Sequence, residues 1–246
     1  MELKYPQKSN GMYVLKRSDF DVIAAEVLAQ YCPGNLARVR PLDIDYLLSE
    51  CLYLTTKYKY LSNDQSILGM IAFADTDWYP VTAFSPMVEE IPAGTIYIDP
   101  CLLDPAQHGR CRFTKAHEGS HWILHRSYHS PCNQVFSFRQ NGVTAVACRG
   151  TTIEKYSWNR NHIWTDQDWE EWQADSLGAA MLMPREPFID AFRTAICHQG
   201  FRQFYLVKGE RPAESRSVIA EVARRFDVSL RAAQIRMCHL NLIRNR

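Results

Sequence analysis

Apolar positions recur at helical spacing near the start of this 246-residue chain and again in its last third, with β-rich runs between them. Ser18 and Asp19 supply a cap for Val22, Ala25, Glu26 and Ala29, which predicts a helix ending before Pro33-Gly34. A second, short helix is expected over residues 44–51. Runs rich in β-branched and aromatic residues follow at 52–61, 67–74 and 94–98 and read as strands. The last of them ends at Asp99-Pro100 and leads into a proline-free segment from Arg110 to Tyr128. There Phe113, Ala116, Ile123 and Leu124 fall near helical spacing, as a buried helix requires. Another helix opens at Trp169, continues through Ala174, Ala179, Ala180, Met181 and Leu182, and stops at Pro184. This order predicts an α+β fold in which a small antiparallel or mixed sheet lies beside the helices.

The stretch between the two long helices, an insert of about residues 130–165, carries a hairpin signal. Asn141-Gly142 separates Val135-Phe136-Ser137-Phe138 from Val143-Thr144-Ala145-Val146, and both turn residues tolerate positive φ. Connections of this length serve as walls or lids, or merely decorate the surface. At the C-terminal end, residues 217–225 and 230–240 read as two short helices joined through Phe226-Asp227-Val228-Ser229, with Ser229 as the second cap. Val218, Val222, Phe226, Ala233, Ile235 and Leu240 form their apolar seam. The expected division is a main domain over 1–200 and a helix-turn-helix-like appendage over 201–246.

Composition narrows the picture. Hydrophobic residues make up 46% of the chain and aromatic ones 12%, enough for a packed core, while a net charge of +1 gives no global argument for a nucleic-acid partner. The C-terminal end is locally basic, with ten Lys and Arg from Phe201 onward against four Asp and Glu, which fits a DNA-contacting surface over 217–240. A helical hairpin packed on the core uses the same seam without DNA, and the modest charge favours that simpler reading. The eight cysteines contain no C-x-x-C pair, so reduced thiols are expected. No apolar run approaches the roughly 18 residues of a membrane span, and a cytoplasmic protein without membrane association is expected.

The chemistry begins at His117-Glu118-Gly119-Ser120-His121. Residues four apart share one helix face, so both imidazoles can point at one metal ion. Glu118, directly after the first histidine, can then act as a proton acceptor beside the ion. A hydrolytic zinc site takes three protein ligands and leaves one position open. The helix after Trp169 offers Glu170 and Glu171. Glu171 is the better third ligand, because Asp175 then lies one turn later on the same face and can accept the ring N–H of a ligand histidine. Small residues at Ala174 and Gly178 would let this helix approach the first. Glu170 and Glu171 also fit a solvated first turn. His125 and His129 continue the histidine face at four-residue steps and are candidate substrate or transition-state contacts. The longer H-E-x-x-H-x-x-G-x-x-H pattern fails, with Leu124 at its glycine and Ser127 at its last histidine.

Two ordered motifs carry a resemblance. Arg112-Phe113-Thr114-x-Ala116-His117-Glu118-x-x-His121-x-x-Leu124-His125 and Glu171-x-x-Ala174-Asp175 followed by Met181-Leu182-Met183-Pro184 resemble the signatures of the ImmA/IrrE family of metallo-endopeptidases. Gly94-Thr95-Ile96-Tyr97-Ile98-Asp99 is similar to the strand before that family's active helix, and the likeness extends from about residue 42 onward. It implies a zincin-like minidomain and a gluzincin-like zinc site of His117, His121 and Glu171, with Glu118 as the base. It also implies a substrate class, helix-turn-helix repressors whose cleavage derepresses mobile-element or stress genes. Gly119 departs from the bulkier apolar residue usual there, and the insert is long. An extended substrate is expected to pair with a free edge at residues 95–98. A regulator that keeps the fold but only binds DNA or a repressor is the alternative from another class, and a small-peptide hydrolase shares the same site.

Overall fold

The computed structural model describes residues 3–78, 89–129, 145–149 and 164–245. They form two compact units, Met1–Phe20 with Ile44–Gly178, and Asp21–Asp43 with Ala179–Arg246. The fold is α+β with a small mixed sheet.

In the first unit, the sheet holds β1 (Thr55–Tyr58), β2 (Ile67–Ala72), β5 (Thr95–Ile98) and β6 (Ala145–Arg149) in the order β1-β5-β2-β6. β1 runs parallel to β5, pairing Thr55 with Thr95, while β2 is antiparallel to both β5 and β6. A separate antiparallel pair joins β3 (Thr76–Trp78) to β4 (Glu89–Ile91). All four residues of β5 are buried, and so are Leu68 to Ala72 of β2. The expected free edge at residues 95–98 is therefore absent, because β5 is hydrogen-bonded to a strand on each side. Strand order depends on distant pairing, which local pattern does not encode.

Helix α4 (His108–His125) packs against β2 and β5. The chain reaches it through two tight turns, each capped by an aspartate. Asp99, wholly buried, accepts from the amides of Cys101 at 2.9 Å and Leu61 at 3.3 Å, and Asp104 accepts from Ala106 at 2.8 Å. These caps satisfy donors that the turns leave unpaired and fix where α4 begins. Residues 44–51 are helical as expected, but the short helix α3 (Ile44–Tyr46) widens into a π turn over Leu47–Cys51, closed by Leu52 N–H to the Leu47 carbonyl. The strand expected over 52–61 is confined to β1, with Tyr53 at a φ of 55° before it. The Asn141-Gly142 turn and the first arm of its hairpin lie outside the described residues. Its second arm overlaps β6.

The first helix, α1, covers Arg17–Tyr31, and α2 is a single turn over Gly34–Ala37. The helix expected from Trp169 onward is α5 (Asp166–Leu182). The second unit also contains α6 (Arg185–His198), α7 (Pro212–Phe226), α8 (Leu230–His239) and a two-residue parallel pair, β7 (Leu206–Val207) with β8 (Ile243–Arg244). Phe188, Phe192, Ala195 and Ile196 of α6 are buried, as are Val218, Val222 and Phe226 of α7, and the Phe188 and Phe226 rings lie 5.4 Å apart. That apolar contact groups α6 with the C-terminal helices. The two expected C-terminal helices are α7 and α8, joined by Asp227 at a φ of 53° and by Ser229, whose hydroxyl accepts from Ala232 at 3.1 Å. Arg236 is buried, donates to the Met183 carbonyl at 3.1 Å and pairs with Asp21. Among the described residues no helix is long and apolar enough to cross a membrane.

Candidate metal centre

The four-residue spacing places His117, His121 and His125 on one face of α4, with His129 in the turn that follows. α5 lies opposite and presents Glu170, Glu171, Gln173 and Asp175. Gly178 permits this approach: a Cβ there would sit 3.2 Å from the His117 backbone nitrogen and 3.3 Å from the Ala116 carbonyl carbon. Gly119, the departure noted in the motif, faces Leu48; a Cβ would come within 2.6 Å of its Cδ2. Helix propensity is lost at Gly119 in exchange for that packing.

His117 and His121 bring their Nε2 atoms to 2.9 Å. Glu171 lies across from both, with one carboxylate oxygen 3.5 Å from His117 Nε2 and the other 3.7 Å from His121 Nε2. Nδ1 of His117 is 2.8 Å from Asp175 and donates to that carboxylate. Glu118 is wholly buried beside them, its carboxylate over β2, where Gly69 leaves it room. Any side chain at position 69 would collide with the Glu118 carboxylate and approach Thr114 Cγ2 to 2.6 Å.

A cation fits this arrangement. Both oxygens of Glu118 and both of Glu171 are buried without a hydrogen-bond partner, a costly state for carboxylates unless a positive charge compensates. Two imidazole nitrogens converge on the same place, and His117, His121 and Glu171 can hold a metal ion. Burial, with the nearby His117, His125 and His129, holds His121 well below the ordinary histidine range, so it is neutral and has a lone pair to offer. Burial pushes the Glu118 carboxyl up to about 8; His117 opposes this, and Glu171, Asp175 and Glu170 add to it.

A second triangle of ligand atoms shares His121. Its Nδ1 lies 3.0 Å from Nδ1 of His125 and 3.7 Å from Glu170, which is 3.9 Å from His125 Nδ1. These three residues can also hold a metal ion. His129 pairs with Glu170 and stacks on Phe73, the ring centroids 4.3 Å apart. His125 Nε2 faces Gln173 Oε1 at 3.2 Å, and burial pushes that ring down to about 4, against the raising influence of Glu170 and Gln173. His125 and His129, read from sequence as candidate substrate contacts, are buried and bonded within the protein. Glu170 and Glu171 are both buried, so these two glutamates are not solvated.

Spacing along the chain therefore leads to His117, Glu118, His121, Glu171 and Asp175, and the structure brings them together. Sequence reasoning misses Gln173, Gly69 and the burial of Glu170. Gln173 carries no motif, and Gly69 matters only through a contact across the sheet. Compared with models of known protein families the chain matches none, and no curated protein matches it.

Proposed function

We propose that the protein is a zinc-dependent endopeptidase, with His117, His121 and Glu171 as the zinc ligands and Glu118 as the proton-transfer group. The observation that carries this reading is the convergence of two imidazole nitrogens, 2.9 Å apart, on the partnerless carboxylate of Glu171, with the equally partnerless Glu118 beside them. Two histidines and a carboxylate leave a fourth position for water or substrate. Iron(II) accepts the same donors, but a buried carboxylate next to the ligands favours hydrolysis, which needs a base there. The helix beside a small mixed sheet supports a zincin-like arrangement.

Zinc held by His117, His121 and Glu171 would supply Lewis acidity, polarising a carbonyl and acidifying a water molecule. Glu118 accepts a proton from the attacking water and passes it to the leaving amine, so one peptide bond and one water become a carboxylate and an ammonium group. Asp175 holds the His117 ring in place from its far side. The Glu118 carboxylate is wholly buried against Gly69 of β2, away from bulk water.

The substrate class, a helix-turn-helix repressor, rests on the resemblance of the two motifs. For α7 and α8 we favour a structural or protein-binding role over DNA contact. Three of the arginines counted toward a basic face are engaged internally: Arg236 with Asp21, Arg225 with Glu221 at 2.5 Å, and Arg211 with the Gln199 carbonyl at 2.9 Å.

The test is cleavage of a peptide library by zinc-loaded protein, read by mass spectrometry. Cleavage that a chelator abolishes and zinc restores is expected. Stoichiometric zinc with no cleavage of any peptide or repressor substrate would contradict the enzyme.

A further inference from the structure

Two triangles of ligand atoms meet at His121, and their hydrogen bonding differs. In the first, both Glu171 oxygens lack a hydrogen-bond partner. In the second, His129 pairs with Glu170, His121 Nδ1 meets His125 Nδ1 at 3.0 Å, and His125 Nε2 meets Gln173 at 3.2 Å. The second triangle is closed as it stands, and its bonds run in one direction. The Tyr13 carbonyl can only accept, so the Gln173 amide nitrogen, 2.8 Å away, donates to it. That bond fixes the amide and turns Oε1, which also only accepts, toward His125 Nε2. The hydrogen of a neutral His125 ring therefore sits on Nε2, leaving Nδ1 as a lone pair. The single hydrogen between the two Nδ1 atoms then belongs to His121. Nε2 of His121 is left bare on the side of His117 and Glu171.

We propose that Gln173 and His125 are positioning residues that hold His121 in the tautomer a metal ligand needs, with the Tyr13 carbonyl as their anchor; this rests on reading His117, His121 and Glu171 as a zinc centre. The two ligand rings are set by different partners. His117 donates to a carboxylate, Asp175, whereas His121 donates into a neutral chain of imidazole, amide and backbone carbonyl. Both partners fix ring orientation, but only Asp175 is a charged hydrogen-bond acceptor; Glu170 stands off from His121 Nδ1 at 3.7 Å. The same relay keeps His125 from acting as a ligand, because its Nδ1 lone pair is already engaged.

The test uses the full chain. In metal-free wild type with ¹⁵N-labelled histidine, long-range proton–nitrogen NMR is expected to place the hydrogen of His121 on Nδ1 and that of His125 on Nε2. In titrations of zinc ion against a chromophoric chelator, Gln173→Met and His125→Phe are expected to bind about 10- to 100-fold more weakly. In both variants part of the His121 hydrogen moves to Nε2. His125→Gln, whose amide oxygen can accept from His121, is expected to recover most of the affinity. A wild-type His121 carrying its hydrogen on Nε2 overturns the relay. So do folded Gln173→Met and His125→Phe proteins with affinities within about twofold of wild type, or a second zinc ion per chain that His125→Phe removes. If the variants fail to fold, the wild-type tautomers decide the matter. They are read without metal, so expected tautomers in a chain that binds zinc but cleaves nothing uphold the relay while removing the peptidase.

Discussion

Asp175 Oδ1 lies 2.8 Å from Nδ1 of His117, and this bond turns the opposite ring nitrogen toward His121 and Glu171. A carboxylate behind a ligand histidine fixes the tautomer and makes the ring a stronger donor. Asp175→Asn keeps an acceptor but removes the charge, and is expected to weaken zinc binding about 10-fold, with Asp175→Ala nearer 100-fold. Competition with a chromophoric chelator measures both; unchanged affinities would remove Asp175 from the centre.

Gly178 controls how close α5 comes to α4. A methyl group there meets backbone atoms of Ala116 and His117 at 3.2–3.4 Å, and backbone cannot swing aside as a side chain can. Gly178→Ala should therefore destabilise the fold by about 1–3 kcal/mol and weaken zinc binding together with it. Thermal unfolding with and without zinc checks this; a more stable variant would contradict the packing.

Much of this centre is legible in the sequence because it is built on helix periodicity. The four-residue steps from His117 to His121 and from Glu171 to Asp175 can be counted along the chain, and each puts two side chains on one face. What depends on distant packing is not legible. Glu170 and Glu171 fit a solvated first turn, yet both are buried and His129 pairs with Glu170. Residues 95–98 read as a strand from their β-branched content, but nothing local says that β1 pairs with them in parallel and leaves no free edge. Gln173 acquires a role only once Tyr13, 160 residues away, is seen to receive its amide.

Gly69 offers a way to separate catalysis from metal binding. A methyl group there meets the ends of the Glu118 and Thr114 side chains rather than any zinc ligand. Gly69→Ala is expected to fold and to hold zinc as wild type does, while cleavage falls because the carboxylate is displaced. Metal analysis beside a peptide-cleavage assay reads the two effects; loss of zinc without displacement of Glu118 would contradict the placement.

Zinc uptake should also release a proton. Burial raises the Glu118 carboxyl to about 8 in the metal-free chain, so at pH 7 it is mostly protonated. A nearby divalent charge favours the carboxylate and lowers that value, which expels the proton. The effect belongs to the window below about 8 and above the usual carboxylate range near 4.5; at higher pH the proton is already gone. Binding enthalpies in buffers of different ionisation heat measure it. About one proton is expected for wild type and less for Glu118→Gln, and equal release from both would place the proton elsewhere.

The most direct measurement compares wild type and Glu118→Gln for bound zinc and for peptide cleavage under identical conditions. The account predicts equal zinc in both and a loss of cleavage of at least about 100-fold in the variant. Equal cleavage by the two proteins, or a wild type that holds no zinc, would contradict it.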